Sequence, residues 1–490
     1  MEQFDLVIIG SGPAGASAAF KARSLGLSVC LAEKADIGGT CLNRGCIPTK
    51  VFLRGAELLR DIREGERYGL SVGPPGFDFF RLAGWKNRVV QSLRKNQTAA
   101  LLKAGVRIEA GEARIEEPGR VSIRGAGGEG QCIGARAILL AAGTAAARLP
   151  IPGNDRCGVY TSDDVLDGEG IFSNGALFPH GPSAGIPPRL AIIGGGVIGV
   201  EFAAAYSAFG SEVTIIEALP SLLAAMDREI GQNLALQFKK RGVKILTGSR
   251  IEAIEEARGA FRVVFSSRPP GGQDAVEADA ILMAAGRKPD AGALFAPGLI
   301  PALTDKGFIR LDDTLMSSIP GIYAAGDISG GAFCGGLQLA HAAEAQGTYA
   351  ALRIAESVKK TPALSASPRR IVPVCIYTVP EISCAGLSLA EAAEQGIPAR
   401  AGKGVFGSNG RAVLENMDRG FVKLVFHAEK RALIGAQFFC NRATEIIPWA
   451  LQCIQSGATA EAIAATVFPH PSYSETIAQA AKDAIDRGGL

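Results

Sequence analysis

Cys41 and Cys46 stand five positions apart in Gly38-Gly39-Thr40-Cys41-Leu42-Asn43-Arg44-Gly45-Cys46-Ile47-Pro48-Thr49-Lys50, a segment that leads into a helix. Two cysteines at that spacing near a helix start can form a strained, accessible disulfide, and the helix dipole favours a thiolate. Zinc is the competing use, but it wants a gap of two to four residues and a second ligand pair, and no second pair exists. Two buried, inert cysteines are the plain alternative. Far along the chain, His470 and Glu475 lie five apart in Phe468-Pro469-His470-Pro471-Ser472-Tyr473-Ser474-Glu475. A histidine boxed by prolines suits a rigid turn in which the carboxylate holds one ring nitrogen and presents the other for proton transfer. An ordinary surface turn would read the same way.

The elements that must position these groups are legible as apolar runs and glycine turns. Leu6-Val7-Ile8-Ile9 reads as a buried parallel strand, then comes Gly10-Ser11-Gly12-Pro13-Ala14-Gly15, an alanine-rich helix to about Gly26, and a strand ending at Glu33. Glu33 stands 23 residues beyond Gly10. The glycines Gly10, Gly12 and Gly15 suit a tight turn, backbone approach to a pyrophosphate and close helix packing, and Glu33 suits a ribose diol. The pattern recurs. Leu190–Ile193 is followed by Gly194, Gly196 and Gly199, a helix from Glu201, and a strand ending at Glu217, again 23 residues beyond the first glycine. A carboxylate there repels a 2′-phosphate, and no arginine follows in Ala218–Leu222, so NAD is expected rather than NADP. An internal duplication with one inactive copy is the alternative. Ala137–Thr144 (with Gly143) closes the first nucleotide unit and Ala280–Arg287 (with Gly286) the second, while Gly321–Asp327 is a third glycine site. From Ile371 onward the pattern changes to hairpin strands and amphipathic helices near Ala443–Ser456 and Thr459–Thr466.

Composition bounds what these elements can build. At 490 residues the chain should hold three or four domains, and cores of that size need no disulfide staples. Glycine is 62 of 490, well above the average of about 7%, so the surplus must sit in turns where backbone approaches something. Lys+Arg 51 against Asp+Glu 48 is too balanced for a nucleic-acid or membrane-surface protein. A hydrophobic content of 47% and mean hydropathy of +0.19 exclude disorder. The ten cysteines lack the spacing of a secreted scaffold, no apolar run reaches about 18 residues, and the first five residues lack the basic and apolar regions of a signal peptide. The expectation is a soluble, cytoplasmic protein with reduced thiols, no membrane association and no structural metal.

The string from Gly38 to Lys50 resembles the redox-active segment of the class I pyridine nucleotide–disulfide oxidoreductases, and the resemblance runs essentially from end to end. Within that family the chain looks most like the dihydrolipoamide-oxidising branch; Tyr377-Thr378-Val379-Pro380-Glu381 resembles that branch, whereas glutathione reductases usually carry proline where Glu381 stands. The resemblance implies an α/β fold with two Rossmann-like FAD/NAD(P)-binding domains plus a C-terminal α+β dimerisation domain. The implied division is 1–150 (FAD), 151–288 (NAD), 289–365 (a central domain completing the FAD site) and 366–490 (interface). It implies FAD held by Gly10, Gly12, Gly15, Glu33, Lys50, Ala113, Gly143, Asp327 and Ala340. For NAD it implies Gly194, Gly196, Gly199, Glu201, Glu217, Gly286 and Arg287. In the family the matching aspartate, Asp327, holds the ribityl chain, Lys50 pairs with Glu201 near the flavin, and the histidine works in the partner subunit's site.

The cycle so implied makes Cys41, Cys46, His470 and Glu475 catalytic. A dihydrolipoamide thiolate generated by His470 attacks Cys41, Cys46 becomes the thiolate nearer FAD, and hydride reaches NAD⁺. The expected partners are a second copy, as a homodimer, and a lipoyl-bearing protein of a 2-oxoacid dehydrogenase or glycine cleavage system. A related NAD(P)H-dependent reductase of another disulfide, such as glutathione, is the second reading. A flavin- and NAD-binding scaffold without turnover is the third, and the intact cysteine pair and His–Glu pair argue against it. Four features depart from the family pattern: Asp167–Pro188 is long, with Phe172, Phe178 and His180; Gly330–Gly336 is extended, with Cys334 expected as an unpaired thiol; Asp290 stands where asparagine is common; and Phe468 replaces a frequent histidine. His341 reads as a structural helix residue.

Overall fold

The computed structural model describes residues 1–73, 75–167, 186–257, 259–267, 272–360, 369–417 and 419–488. Phe172, Phe178 and His180 of the long Asp167–Pro188 segment lie outside the described residues.

The apolar run at the N-terminus forms the strand Glu2–Ile9, whose last four residues are buried. It lies parallel to Val29–Glu33 on one side and to Gly130–Leu140 on the other. A strand flanked on both sides in a sheet covered on both faces needs a continuous apolar run, which is why no alternation marks it in the sequence. The sheet runs Arg107–Ala110, Val29–Glu33, Glu2–Ile9, Gly130–Leu140, Arg120–Arg124, Glu112–Glu117. A seventh strand, Ile322–Ala324, joins it in parallel on Gly130–Leu140. The segment expected as a central domain thus shares this sheet. It also shares the core, because helix Ala340–Lys359 crosses helix Pro13–Ser24 closely, and any side chain at Gly347 would strike the Ala14 carbonyl. That helix starts at Ala340, since Leu339 is still extended at φ −126°, ψ 146°.

The second sheet repeats the design with five parallel strands: Lys244–Thr247, Glu212–Glu217, Arg189–Ile193, Ala280–Met283 and Val159–Thr161. Its helix runs Val197–Phe209 and so begins directly after Gly196, earlier than the sequence pattern suggested. Three antiparallel strands, Ser249–Ala257, Ala260–Ser267 and Gln273–Ala278, bury Phe261, Val263 and Phe265 beside it. The chain leaves the first unit at Ala145–Ala146 and returns at Arg287–Lys288, and these two short strands pair antiparallel.

The C-terminal unit is an antiparallel sheet in the order Val374–Ile376, Glu381–Gly386, Leu433–Cys440, Phe421–His427, Ala399–Val405. Helices Ala443–Ser456, Ala460–Ala464 and Glu475–Gly488 pack on it around Phe406, Phe426 and Phe438. The architecture is α/β with two Rossmann-like units and an α+β C-terminal unit. Among the described residues no helix is long and apolar enough to cross a membrane.

Candidate active site

Each nucleotide turn is shaped by two glycines that pack and one that does not. Gly10 has φ +102°, and a Cβ there would lie 2.5 Å from the Ala141 carbonyl oxygen. A Cβ on Gly15 would strike the Gly10 carbonyl. A Cβ on the middle glycine, Gly12, would meet no protein atom nearer than 4.0 Å. The second turn matches it: Gly194, at φ +113°, is closed in by Ala284, Gly199 by Gly194, and Gly196 faces open space. Open space above the middle glycine, at the N-termini of helices Pro13–Ser24 and Val197–Phe209, is the cradle a pyrophosphate requires.

The two acids are held alike. Glu33 accepts hydrogen bonds from the Ser11 amide at 2.8 Å, the Ser11 hydroxyl at 2.7 Å and the Ala35 amide at 2.9 Å. Glu217 accepts from the Gly195 amide at 2.5 Å and the Leu219 amide at 2.7 Å. Each carboxylate therefore stands beside its own glycine turn, its direction fixed by backbone donors.

One cavity of about 1530 Å³ runs between the turns. That exceeds the roughly 300–1,000 Å³ of a single ligand pocket and suits two dinucleotides meeting end to end. Gly10, Gly12, Glu33 and Ala113 border it on the first unit, with Gly143, Asp327 and Ala340. Gly194, Gly196, Glu217, Gly286 and Arg287 border it on the second. Cys41, Cys46, Lys50 and Glu201 line it between them. Gly15 and Gly199 sit behind the turns as packing residues. The Asp327 carboxyl accepts a hydrogen bond from the Thr144 hydroxyl at 3.2 Å, and burial raises its pKa.

Cys41 lies in the short helix Gly39–Arg44 and Cys46 opens the helix Cys46–Glu64, with Gly45 at φ −141°, ψ −108° turning the chain between them. The two sulfurs stand as thiols in hydrogen-bond contact. The bond from Cys41 and the Lys50 ammonium overcome burial and lower the Cys46 thiol to about 7. The same bond, with burial, drives Cys41 far up. Cys46 is exposed and lines the cavity. One thiolate and one thiol is the state this geometry favours.

Lys50 follows Cys46 by four positions on one helix face and reaches Glu201 of the second nucleotide unit, at 2.8 and 3.0 Å. Glu201 is 4% exposed. It also accepts the Tyr377 amide at 2.9 Å, and the Lys50 ammonium lies 4.4 Å from the centre of the Tyr377 ring. Sequence reading used Tyr377 only as part of a motif and missed this contact, which arises between segments remote in the chain.

Arg287 is largely committed to protein partners. It pairs with Asp163 at 2.9 Å, donates to the Thr144 carbonyl at 2.6 Å and to its hydroxyl at 3.1 Å, and reaches the Thr40 hydroxyl at 3.3 Å. Thr40 and Thr144 figured in the sequence only as members of motifs and Asp163 carried no signal, because their bonds to Arg287 exist only once remote segments meet. Glu381 accepts from the Thr444 amide at 3.0 Å and hydroxyl at 2.8 Å, so it caps helix Ala443–Ser456. His341 bonds the Pro373 carbonyl through Nε2 at 2.7 Å and borders the cavity. Cys334 is a buried thiol contacted by the Gln346 amide at 3.7 Å.

His470 and Glu475 are brought together, with Nδ1 2.8 Å from Oε1, but not to the cavity of their own chain. The Ser472 amide, 2.8 Å from Oε2, and then His470 hold the Glu475 carboxyl below the usual range.

This fold and site define a flavin- and pyridine-nucleotide-dependent disulfide oxidoreductase. Residues 4–347 match the pyridine nucleotide-disulphide oxidoreductase family and residues 372–481 its dimerisation domain, and the chain belongs to that family. It is an enzyme working with FAD and NAD(H), and the dimerisation domain makes it a homodimer-forming chain. It is similar to dihydrolipoyl dehydrogenases of Chlorobaculum tepidum (33% identical, 99% of this chain and 98% of that one) and Thermus scotoductus (34%, 98% and 97%). Among solved structures it resembles the HOCl-induced flavoprotein disulfide reductase RclA of Escherichia coli, with TM-score 0.81, 28% identity and 98% and 99% coverage. It also resembles LpdA of Mycobacterium tuberculosis, with TM-score 0.83, 25% identity and 98% and 99% coverage.

Proposed function

We propose that the chain oxidises protein-bound dihydrolipoamide to lipoamide with NAD⁺ as acceptor, as a dihydrolipoyl dehydrogenase. The observation that carries this reading is the unequal Cys41–Cys46 pair, set in one cavity between two dinucleotide cradles. Full-length likeness to dihydrolipoyl dehydrogenases supports the choice of substrate.

In the oxidised enzyme Cys41 and Cys46 share a disulfide. His470 of the partner subunit takes a proton from the first substrate thiol, and Glu475 orients that imidazole through Nδ1. The thiolate bonds to the Cys41 sulfur, the Cys41–Cys46 bond breaks, and Cys46 leaves as a thiolate. The second substrate thiol then attacks the substrate sulfur of the mixed disulfide, the bond to Cys41 breaks, and the proton lost by the attacking thiol passes to the departing sulfur, releasing lipoamide and the Cys41 thiol. The low Cys46 pKa makes it the better leaving group and keeps it charged afterwards. Bound FAD would supply the two-electron relay between Cys46 and the nicotinamide. Lys50, locked by Glu201, stabilises negative charge beside Cys46. Glu217 selects a free ribose hydroxyl. The division 1–150, 151–288, 289–365 and 366–490 goes with this reading, with the third segment completing the flavin site through Asp327 and Ala340.

The test is a coupled assay offering dihydrolipoamide with NAD⁺, and oxidised glutathione or lipoamide with NADH or NADPH. The reading expects dihydrolipoamide and NAD⁺ to be the productive pair. Turnover of glutathione with NADPH and none of dihydrolipoamide would overturn it. A reductase of another disulfide is the second reading, favoured by the likeness to RclA.

A further inference from the structure

We propose that Tyr377 is a positioning residue for the redox pair: its backbone amide and its ring together hold Lys50 and Glu201 where the ammonium can keep Cys46 a thiolate. This rests on the reading of Cys46 as the charged partner of the dithiol.

Glu201 is a nearly buried carboxylate, and such a group is stable only when its oxygens are filled. Lys50 binds both oxygens, at 3.0 and 2.8 Å, and the Tyr377 amide adds a third bond to Oε1 at 2.9 Å. Lys50 itself is about a third exposed, at 32%, on the side that opens to the cavity. A four-carbon stem with that freedom can swing its charge into solvent. The Tyr377 ring, 4.4 Å from the ammonium, covers one approach and attracts the cation through its π face. Tyr377 follows strand Val374–Ile376, so its place is fixed by the C-terminal sheet rather than by either nucleotide unit. The C-terminal unit thereby reaches the redox centre of its own chain.

The groups that bear on Cys46 are Cys41, Lys50 and Glu201. Around Tyr377 stand Cys375, Glu381, Glu201 and Cys46, and Glu344 acts on Cys41. Lys50 is the cation in this set, so loosening it leaves the Cys41 hydrogen bond to hold the thiolate against burial and Glu201 without the ammonium's help.

The experiment measures the pH dependence of Cys46 alkylation by iodoacetamide in the holoenzyme, reduced anaerobically with a chemical dithiol, with the site mapped by peptide mass. Tyr377→Phe keeps the ring and should titrate with the parent. Tyr377→Leu, or Tyr377→Met if the leucine variant does not fold, should raise the midpoint by about half a pH unit or more. On a Lys50→Met background the same change should add nothing. A leucine or methionine variant that titrates with the parent overturns the proposal. So does a phenylalanine variant that shifts as far as they do, or an equal shift without Lys50. The titration needs no lipoamide turnover, so its outcome is separable from the identity of the substrate.

Discussion

His470 Nδ1 lies 2.8 Å from Glu475 Oε1, while neither residue borders the cavity that holds Cys41 and Cys46 in the same chain. The imidazole side chain is 77% exposed. We propose that this pair serves the site of the second subunit, and the match to a dimerisation domain supports the homodimer that such a role needs.

Subunit hybrids test that arrangement. Homodimers of Cys41→Ser and of His470→Gln should each be nearly inactive toward dihydrolipoamide, the histidine variant by about 10²–10⁴-fold. A hybrid of one subunit of each contains one intact site if the histidine acts across the dimer. Recovery of about half the parental activity per hybrid is expected. Hybrids as inactive as both parents would place His470 in its own chain's site.

The proposed reading makes Glu217 the residue that sets coenzyme choice. Its carboxylate is fixed by the Gly195 and Leu219 amides and lines the cavity at the second cradle. Glu217→Ala removes the group that repels a 2′-phosphate. Steady-state kinetics should show kcat/KM for NAD⁺ falling about tenfold and the NAD⁺/NADP⁺ ratio narrowing. An unchanged ratio would remove Glu217 from the coenzyme site.

The reduced pair should titrate unequally. Cys46 has its pKa lowered to about 7, so its thiolate is present above that pH and is lost as pH falls through it. Cys41 is shifted the other way and stays protonated across the working range. Alkylation of reduced enzyme should therefore label Cys46 with a midpoint near 7 and leave Cys41 slow. Replacing Lys50 with Met should move that midpoint upward, because the ammonium's attraction is gone while burial and Glu201 still oppose the thiolate that the Cys41 hydrogen bond favours.

The glycine turns separate fold from cofactor. Gly15→Ala drives a methyl into the Gly10 carbonyl and should lower thermal stability by several degrees, with or without FAD. Gly12→Ala meets no protein atom nearer than 4.0 Å and should fold normally while losing FAD affinity about tenfold or more. Equal loss of stability in both apoproteins would contradict the cradle.

The parts that were legible in the sequence are those whose chemistry is local. The glycine turns, Glu33 and Glu217 are set by strand, turn and helix within thirty or so residues, and the helical periodicity around Cys46 and Lys50 is equally local. The contacts that escaped are those made between remote segments. Arg287 was expected at the NAD site, and its bonds to Thr40, Thr144 and Asp163 depend on two crossing strands that no periodicity reveals. Glu381 served as a substrate-branch marker, yet its carboxylate caps a helix 63 positions away. Gly321–Asp327 read as a third glycine site, and only the register of Ile322–Ala324 with Ile138–Leu140 shows it completing the first sheet.

The most direct measurement of the central claim is NADH formation from dihydrolipoamide and NAD⁺ by the parent and by Cys41→Ser, run beside NADH oxidation with an artificial dye acceptor. The serine variant should lose dihydrolipoamide oxidation while keeping bound flavin and dye reduction, since the coenzyme half of the site is intact. Parental rates of dihydrolipoamide oxidation by Cys41→Ser would contradict a mechanism through the Cys41–Cys46 pair.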